Sequence, residues 1–397
     1  SPLESDRYLL RLGIKAKDVS HSPKPWNLVF LIDVSGSMAD GNKLPLVKKA
    51  LRLVVDRMKS SDKIAIVTYS GEARVALESS SADDKAKIIS VIDSLSAGGS
   101  TNGSGGINAA YSLAERAKIE GGVNRVILAT DGDFNVGTTS FDELIKLIEN
   151  QRRSGVTLTT LGFGYGNLKD GTLEQLANKG NGNYFYIDTF SEARRIFEEQ
   201  LLGTLEVVAK DVKLQVEFNP TKVASYRLIG YENRNLRRED FNNDAVDAGE
   251  VGSGHKVTAL YELVLKGSPL EAKLADNYRY QEAERGTKAV AIGERYTNEM
   301  GYLKIRYKEP DGSESKLLEF PLEAAKVKES AAEASSDFRF AAAVSYFAHL
   351  LRDSQYKGNY SFKEVQKLAE SAQGSDRSGH RREFVELVKN AAAIARR

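Results

Sequence analysis

Between Leu28 and about Gly203 the chain alternates between two hydrophobic rhythms. Unbroken apolar runs, "LVFLIDV" from Leu28, "KIAIVTYS" from Lys63, "NRVILAT" from Asn124 and "VTLTTLGFG" from Val156, predict strands covered on both faces. "EARVALE" (Glu72 to Glu78) and "NYFYI" read as further strands. Between them, "KLPLVKKALRLVVDRM" (Lys43 to Met58), "DDKAKIISVIDSL", "GGINAAYSLAERAK" (Gly105 to Lys118) and "SFDELIKLIENQRR" space their apolar residues as helices do. Pro45 falls in a first helical turn, where it is tolerated, and Ser140 precedes Glu143 at capping-box spacing. A helix near Gly171 to Asn178 and another from Ser191 complete the series. Such alternation, with short connections, predicts an α/β unit: a doubly wound, mostly parallel sheet with helices on both faces.

After Leu205 the rhythm changes. "EVVAKDVKLQVEFN", "ASYRLIGYEN", "HKVTALYELVLKG", "GYLKIRYKEP" and "SKLLEFPL" are strand-like with few helices between them, which predicts an antiparallel β-sandwich. The opening "RYLLRLGIKAKDV" (Arg7 to Val19) contains a strand that joins this sandwich across the proline-broken "SHSPKPWN", making the α/β unit an insertion. Ser268 to Asn298 reads as a long polar loop, "KESAAEASSD" as a short linker, and the chain closes with three amphipathic helices. The expected organisation is residues 1–25 (N-terminal strand), 26–204 (α/β unit), 205–328 (sandwich) and 329–397 (helical region), within a length that suits several units.

Composition narrows the function classes. With 41% hydrophobic and 28% charged residues the chain is globular, not disordered or fibrous. A formal charge of +1 gives no global attraction to nucleic acid or anionic lipid. No apolar run approaches the roughly 20 residues that span a bilayer. The absence of cysteine removes disulfides, thiolate nucleophiles and Cys-based zinc sites. The start at Ser1-Pro2, without Met or a charged-then-apolar leader, reads as a processed or trimmed N-terminus.

The chemistry concentrates in three loops. "FLIDVSGSM" ends a buried strand with Asp33, Ser35 and Ser37, whose oxygens could cap a helix, attack a substrate or hold a metal. "SAGGSTNGSGG" (Ser96 to Gly106) is a glycine-rich loop carrying Thr101, and "ATDGDFN" (Ala129 to Asn135) ends another strand in Asp131. In a doubly wound sheet these loops meet beyond the carboxyl ends of the strands, where strand order reverses. Five hard oxygen donors converging there favour Mg²⁺, which takes six oxygens at about 2.1 Å and keeps several waters. The hydroxyls can ligate directly, while the two carboxylates can hold bound water.

Other segments carry less. "LGFGYGN" (Leu161 to Asn167) departs from G-x-G-x-x-G and reads as a tight loop, and "GGSTNGSGG" lacks the G-K-[ST] ending of a phosphate loop. The four histidines are scattered, without H-E-x-x-H. Asp33 as a phosphoryl acceptor would want an acid two positions on, where Ser35 stands instead. "NRNLRRED" (Asn233 to Asp240) reads as a solvated turn, and the aromatics of "DNYRYQEAERG" (Asp276 to Gly286) as loop packing.

"DVSGS", the Thr of "GGSTN" and the Asp of "ATDGD" together resemble the metal-ion-dependent adhesion site of von Willebrand factor type A (vWA) domains, over Leu28 to about Gly203. The flanking strands and the closing "DFRFAAAVSYFAHLLRDSQYKGN" resemble bacterial YfbK-like vWA proteins. The resemblance implies that the hydroxyls of Ser35, Ser37 and Thr101 ligate the metal, that Asp33 and Asp131 act through water, and that a partner's Asp or Glu completes the sphere. It further implies Mg²⁺ as cofactor, with Mn²⁺ or Ca²⁺ as alternatives, and a bacterial cell-envelope or periplasmic setting. The expected function is non-catalytic, metal-dependent protein binding. A metal-dependent, phosphatase-like hydrolase and a structural envelope protein stiffened by its metal are the competing readings.

Overall fold

The computed structural model describes residues 1–18, 24–100, 104–132, 140–166, 168–197, 202–205, 207–231, 236–244, 246, 248–274, 296–310 and 312–395. Thr101 and the stretch 276–286, both singled out above, lie outside the described residues, as does the end of "ATDGDFN" beyond Gly132.

The apolar runs fold into a six-stranded sheet in the order β4-β3-β2-β5-β6-β7. Its strands are β2 (Trp26–Asp33), β3 (Lys63–Tyr69), β4 (Ala73–Ser81), β5 (Val123–Thr130), β6 (Val156–Phe163) and β7 (Tyr184–Ile187). All neighbours are parallel except β3 and β4, which are antiparallel. Because side chains alternate along a strand, each central strand feeds two cores. Leu28, Phe30 and Ile32 face one layer with α1 (Leu44–Arg57), α2 (Lys85–Ser94) and α6 (Phe190–Arg195). Val29 and Leu31 face the other with α3 (Ser104–Arg116), α4 (Phe141–Arg153) and α5 (Asp170–Lys179). Burial on both faces is the reason these strands are uniformly apolar.

The chain leaves β2 through α1 towards β3 on one side, then crosses by α3 to β5 on the other. Strand order therefore reverses between β2 and β5, and the crevice beyond their carboxyl ends is the switch point where such sheets bind ligands. Helix α3 lies unusually close to the sheet. A Cβ on Gly106 would stand 2.9 Å from Leu31 Cδ1 and 3.1 Å from Tyr69 Cβ, so only glycine admits this approach.

Two antiparallel sheets flank the α/β unit, one ordered β1-β11-β9 and the other β10-β8-β12-β13. Their strands are β1 (Tyr8–Lys15), β8 (Val207–Phe218), β9 (Val223–Ile229), β10 (Gly249–Gly252), β11 (Lys256–Leu265), β12 (Glu299–Lys308) and β13 (Ser315–Glu323). β1 pairs with β11 along its length, across the intervening α/β unit, and Phe218, Val223 and Leu263 form a small apolar cluster shared by both sheets. Two details differ from expectation. The four-residue β10 carries no strand signal because two of its residues are glycine, and the polar stretch after Ser268 begins with a short helix, Pro269–Leu274.

The last three helices, Ser336–Leu351, Phe362–Ser371 and His380–Ile394, pack around Ala342, Tyr346, Val365 and Val388. Leu3 and Leu9 of the N-terminal segment lie against that core. Beside it, buried Glu262 on β11 accepts hydrogen bonds from Arg7 and from Arg227, whose guanidinium stacks 4.2 Å from the Tyr356 ring. Among the described residues no helix is long and apolar enough to cross a membrane.

Candidate metal centre

The structure brings four of the five expected oxygen donors to the β2–β5 crevice. Asp33 ends β2, Asp131 follows the end of β5, and Ser35 and Ser37 lie on the turn leaving β2. The Ser35 and Ser37 hydroxyl oxygens are 3.0 Å apart. Asp33, Ser35 and Asp131 are buried, while Ser37 is exposed, so the cluster opens to solvent on one side. The capping alternative for Ser35 fails: it occupies the N-cap position of a 3₁₀ turn (Gly36–Ala39) but makes no side-chain cap. Asp33 Oδ1 instead accepts the Ser35 backbone N–H at 2.9 Å, a turn closed by the aspartate itself.

The glycine-rich loop is docked on this turn by backbone bonds, Gly98 N–H to the Val34 carbonyl at 2.8 Å and Gly36 N–H to the Gly99 carbonyl at 3.0 Å. Gly99 has φ of 84°, a conformation that favours glycine. The loop thus arrives beside Ser35 immediately before Thr101 in the chain.

Three further side chains shape the centre. Tyr69 at the end of β3 donates its hydroxyl to Asp33 Oδ2 at 3.2 Å, and Thr130 donates to the same oxygen at 3.0 Å. These bonds follow from register: Asp33 pairs with Tyr69 across the β2–β3 ladder and lies next to Thr130 across β2–β5, all on one face. Lys43, where α1 begins, donates to Asp131 Oδ2 at 2.9 Å and to the Ser37 carbonyl at 3.0 Å. Periodicity marks Tyr69 and Thr130 only as strand residues. Lys43 did leave a trace, because a cation at a helix N-terminus opposes the helix dipole and needs another reason to be there.

Burial pushes the Asp33 carboxyl above its usual range, the nearby Asp131 adding to the rise against the hydrogen bonds from Ser35 and Thr130. Burial and the Asp33 charge push the Tyr69 phenol well up, so it stays a donor. The donor set fits a hard divalent cation: two hydroxyl oxygens and two buried carboxylates, with one ammonium offsetting one of the two negative charges. Both Asp33 carboxylate oxygens are already engaged, one by the Ser35 N–H and the other by the Tyr69 and Thr130 hydroxyls. Among the described residues no group of three or more His, Cys, Asp or Glu is arranged to hold a metal ion.

Comparison with known proteins bears on the family and the fold. The family model for the von Willebrand factor type A domain matches residues 27–199, and that for the C-terminal region of uncharacterized protein YfbK matches residues 203–394. The chain is 45% identical over 395 residues to uncharacterized protein YfbK of Escherichia coli, covering 99% of this chain and 66% of that protein. It is 27% identical over 318 residues to uncharacterized protein sll0103 of Synechocystis, covering 79% of this chain and 69% of the relative. Human inter-alpha-trypsin inhibitor heavy chain H3 is 31% identical over 206 residues, which are 49% of this chain and 22% of that one. A solved structure described as von Willebrand factor type A from Catenulispora acidiphila shares the fold, with a TM-score of 0.53 at 16% identity over 98% of this chain and 86% of the other.

Proposed function

Residues 27–199 belong to the von Willebrand factor type A family and are followed by a YfbK-type C-terminal region; from that premise we propose that the protein is a non-catalytic binding module that captures a partner's Asp or Glu through a divalent cation. The observation that carries the reading is the convergence of Ser35, Ser37, Asp33 and Asp131 at the switch point, with Ser37 open to solvent. Ser35, Ser37 and, by position in the chain, Thr101 would hold Mg²⁺ directly, with Asp33 and Asp131 behind bound water. Neutral hydroxyl ligands leave the cation electrophilic, and an incoming carboxylate supplies a charge-assisted bond in a partly dehydrated place.

Hydrolysis fits less well. A general base beside the cation would need a free carboxylate, yet Asp33 accepts three hydrogen bonds and Asp131 holds Lys43. The cell-envelope setting and the division at 25, 204 and 328 belong to the same proposal; fractionation of the native host and limited proteolysis address them.

The test is capture from the native host with the intact chain in Mg²⁺ or in chelator, with Asp33→Ala as control and metal binding measured by calorimetry on both. Metal-dependent capture lost in Asp33→Ala supports the reading. Capture indifferent to metal overturns it in favour of a structural metal, and phosphoester turnover lost in the same variant overturns it in favour of hydrolysis.

A further inference from the structure

Among the described residues, the ammonium of Lys43 is the cation held at the centre. The Lys43 side chain is almost completely buried, and its ammonium spans Asp131 Oδ2 and the Ser37 carbonyl. Its stem runs beneath the loop after β6. A Cβ on Gly164 would stand 2.5 Å from Lys43 Cε and 2.8 Å from Cγ, and Gly164 has φ of 79°. The Tyr186 hydroxyl fixes that loop by donating to the Gly164 carbonyl at 3.0 Å. Gly164, the middle glycine of "LGFGYGN", thus leaves the channel through which the lysine reaches the site. Exposed Asp40 lies 3.9 Å from the ammonium.

We propose that Lys43 is a resident cation that tunes this centre: it weakens divalent-metal binding and leaves the loaded centre positive towards an incoming carboxylate. The inference rests on the metal-binding reading above and deepens it. Asp33, Asp131 and Lys43 carry two negative charges and one positive. Adding a divalent cation gives a net positive centre, which attracts a partner's acid. Without Lys43 the same loading gives a neutral centre. The lysine also engages Asp131, so metal entry must contend with a fixed like charge at short range, where a Coulomb interaction in a buried site is strong. A centre built this way binds metal weakly alone and better together with an anionic ligand.

The experiment is calorimetric titration of Mn²⁺, at one ionic strength, into the intact chain and its Lys43→Met and Lys43→Gln variants, with folding checked by thermal unfolding in chelator. The expected result is at least tenfold tighter Mn²⁺ binding in both variants, and a smaller gain in Mn²⁺ affinity from added acetate than in the unaltered chain. Binding that is equal or weaker in folded variants overturns the inference and leaves the metal site standing. No binding in any chain overturns the metal site and the inference with it. Should both variants fail to fold, Gly164→Ala reads the same quantity by pushing the lysine stem out of its channel. Tighter Mn²⁺ binding supports the role, and unchanged binding overturns it.

Discussion

Asp33 and Tyr69 are register partners at the carboxyl ends of β2 and β3, and the Tyr69 hydroxyl donates to Asp33 Oδ2 at 3.2 Å. The bond joins the first acid of the candidate centre to the neighbouring strand, deep in the core, with a phenol that burial keeps protonated. It makes the position of Asp33 a property of the whole sheet and not of its own loop.

Tyr69→Phe should therefore leave the fold intact and loosen the centre. The ring still fills its place, and Asp33 Oδ2 keeps the Thr130 hydroxyl. Loss of an orienting partner behind a metal ligand typically costs about 10-fold or more in metal affinity. A Mn²⁺ titration of the folded variant should show a drop of that order; unchanged affinity would deny Tyr69 its orienting role.

Asp33→Asn should separate stability from metal binding. The Asp33 carboxyl is raised by burial, so its contribution favours folding below its unfolded pKa, about 3.9. That contribution is lost as pH rises through the higher folded value. In chelator at neutral pH the amide avoids the cost of a buried charge, and the unfolding midpoint should rise. With metal at 100 times the dissociation constant the unaltered chain gains about 2.7 kcal/mol; the variant should gain almost none. Paired melts with metal and with chelator measure both effects.

Gly106→Ala should be costly although alanine favours helices. The added methyl meets Leu31 and Tyr69 at 2.9–3.1 Å, and overpacking of this kind costs about 1–3 kcal/mol. Urea unfolding should show the loss. If α3 recedes to accommodate the methyl, Tyr69 shifts with it and Mn²⁺ affinity falls too.

His349 gives the C-terminal helices a pH dependence of definite sign. It is buried, with Nδ1 3.3 Å from the Tyr360 hydroxyl. Burial, and then the charge of Arg227, lower its pKa below 6.5, against the opposing pull of Glu262. Folding therefore favours the neutral ring, and stability is lost as pH falls through the unfolded pKa of about 6.5 towards the lower folded value. Melts of the unaltered chain between pH 7.5 and 5.5 should show this decline. His349→Gln should reduce it, and an identical slope in the variant would assign the decline to other groups.

The architecture and most of the candidate centre were legible in the chain because both follow from local pattern. Apolar runs long enough for one strand, separated by helical spacing, require a sheet covered on both sides, and the same runs end in Asp33 and Asp131. The turn "DVSGS" carries its own geometry, since Asp33 bonds to the Ser35 N–H two residues on. Tertiary structure alone decided the rest. Tyr69 and Thr130 reach Asp33 through strand register, and Lys43 reaches Asp131, 88 positions away, through a channel that Gly164 leaves open. β10 formed although half its residues are glycine, because β8 supplies its ladder bonds. Periodicity records which face a residue takes, whereas its partner across the sheet is set only when distant segments pack, and at this centre that packing places the balancing charge.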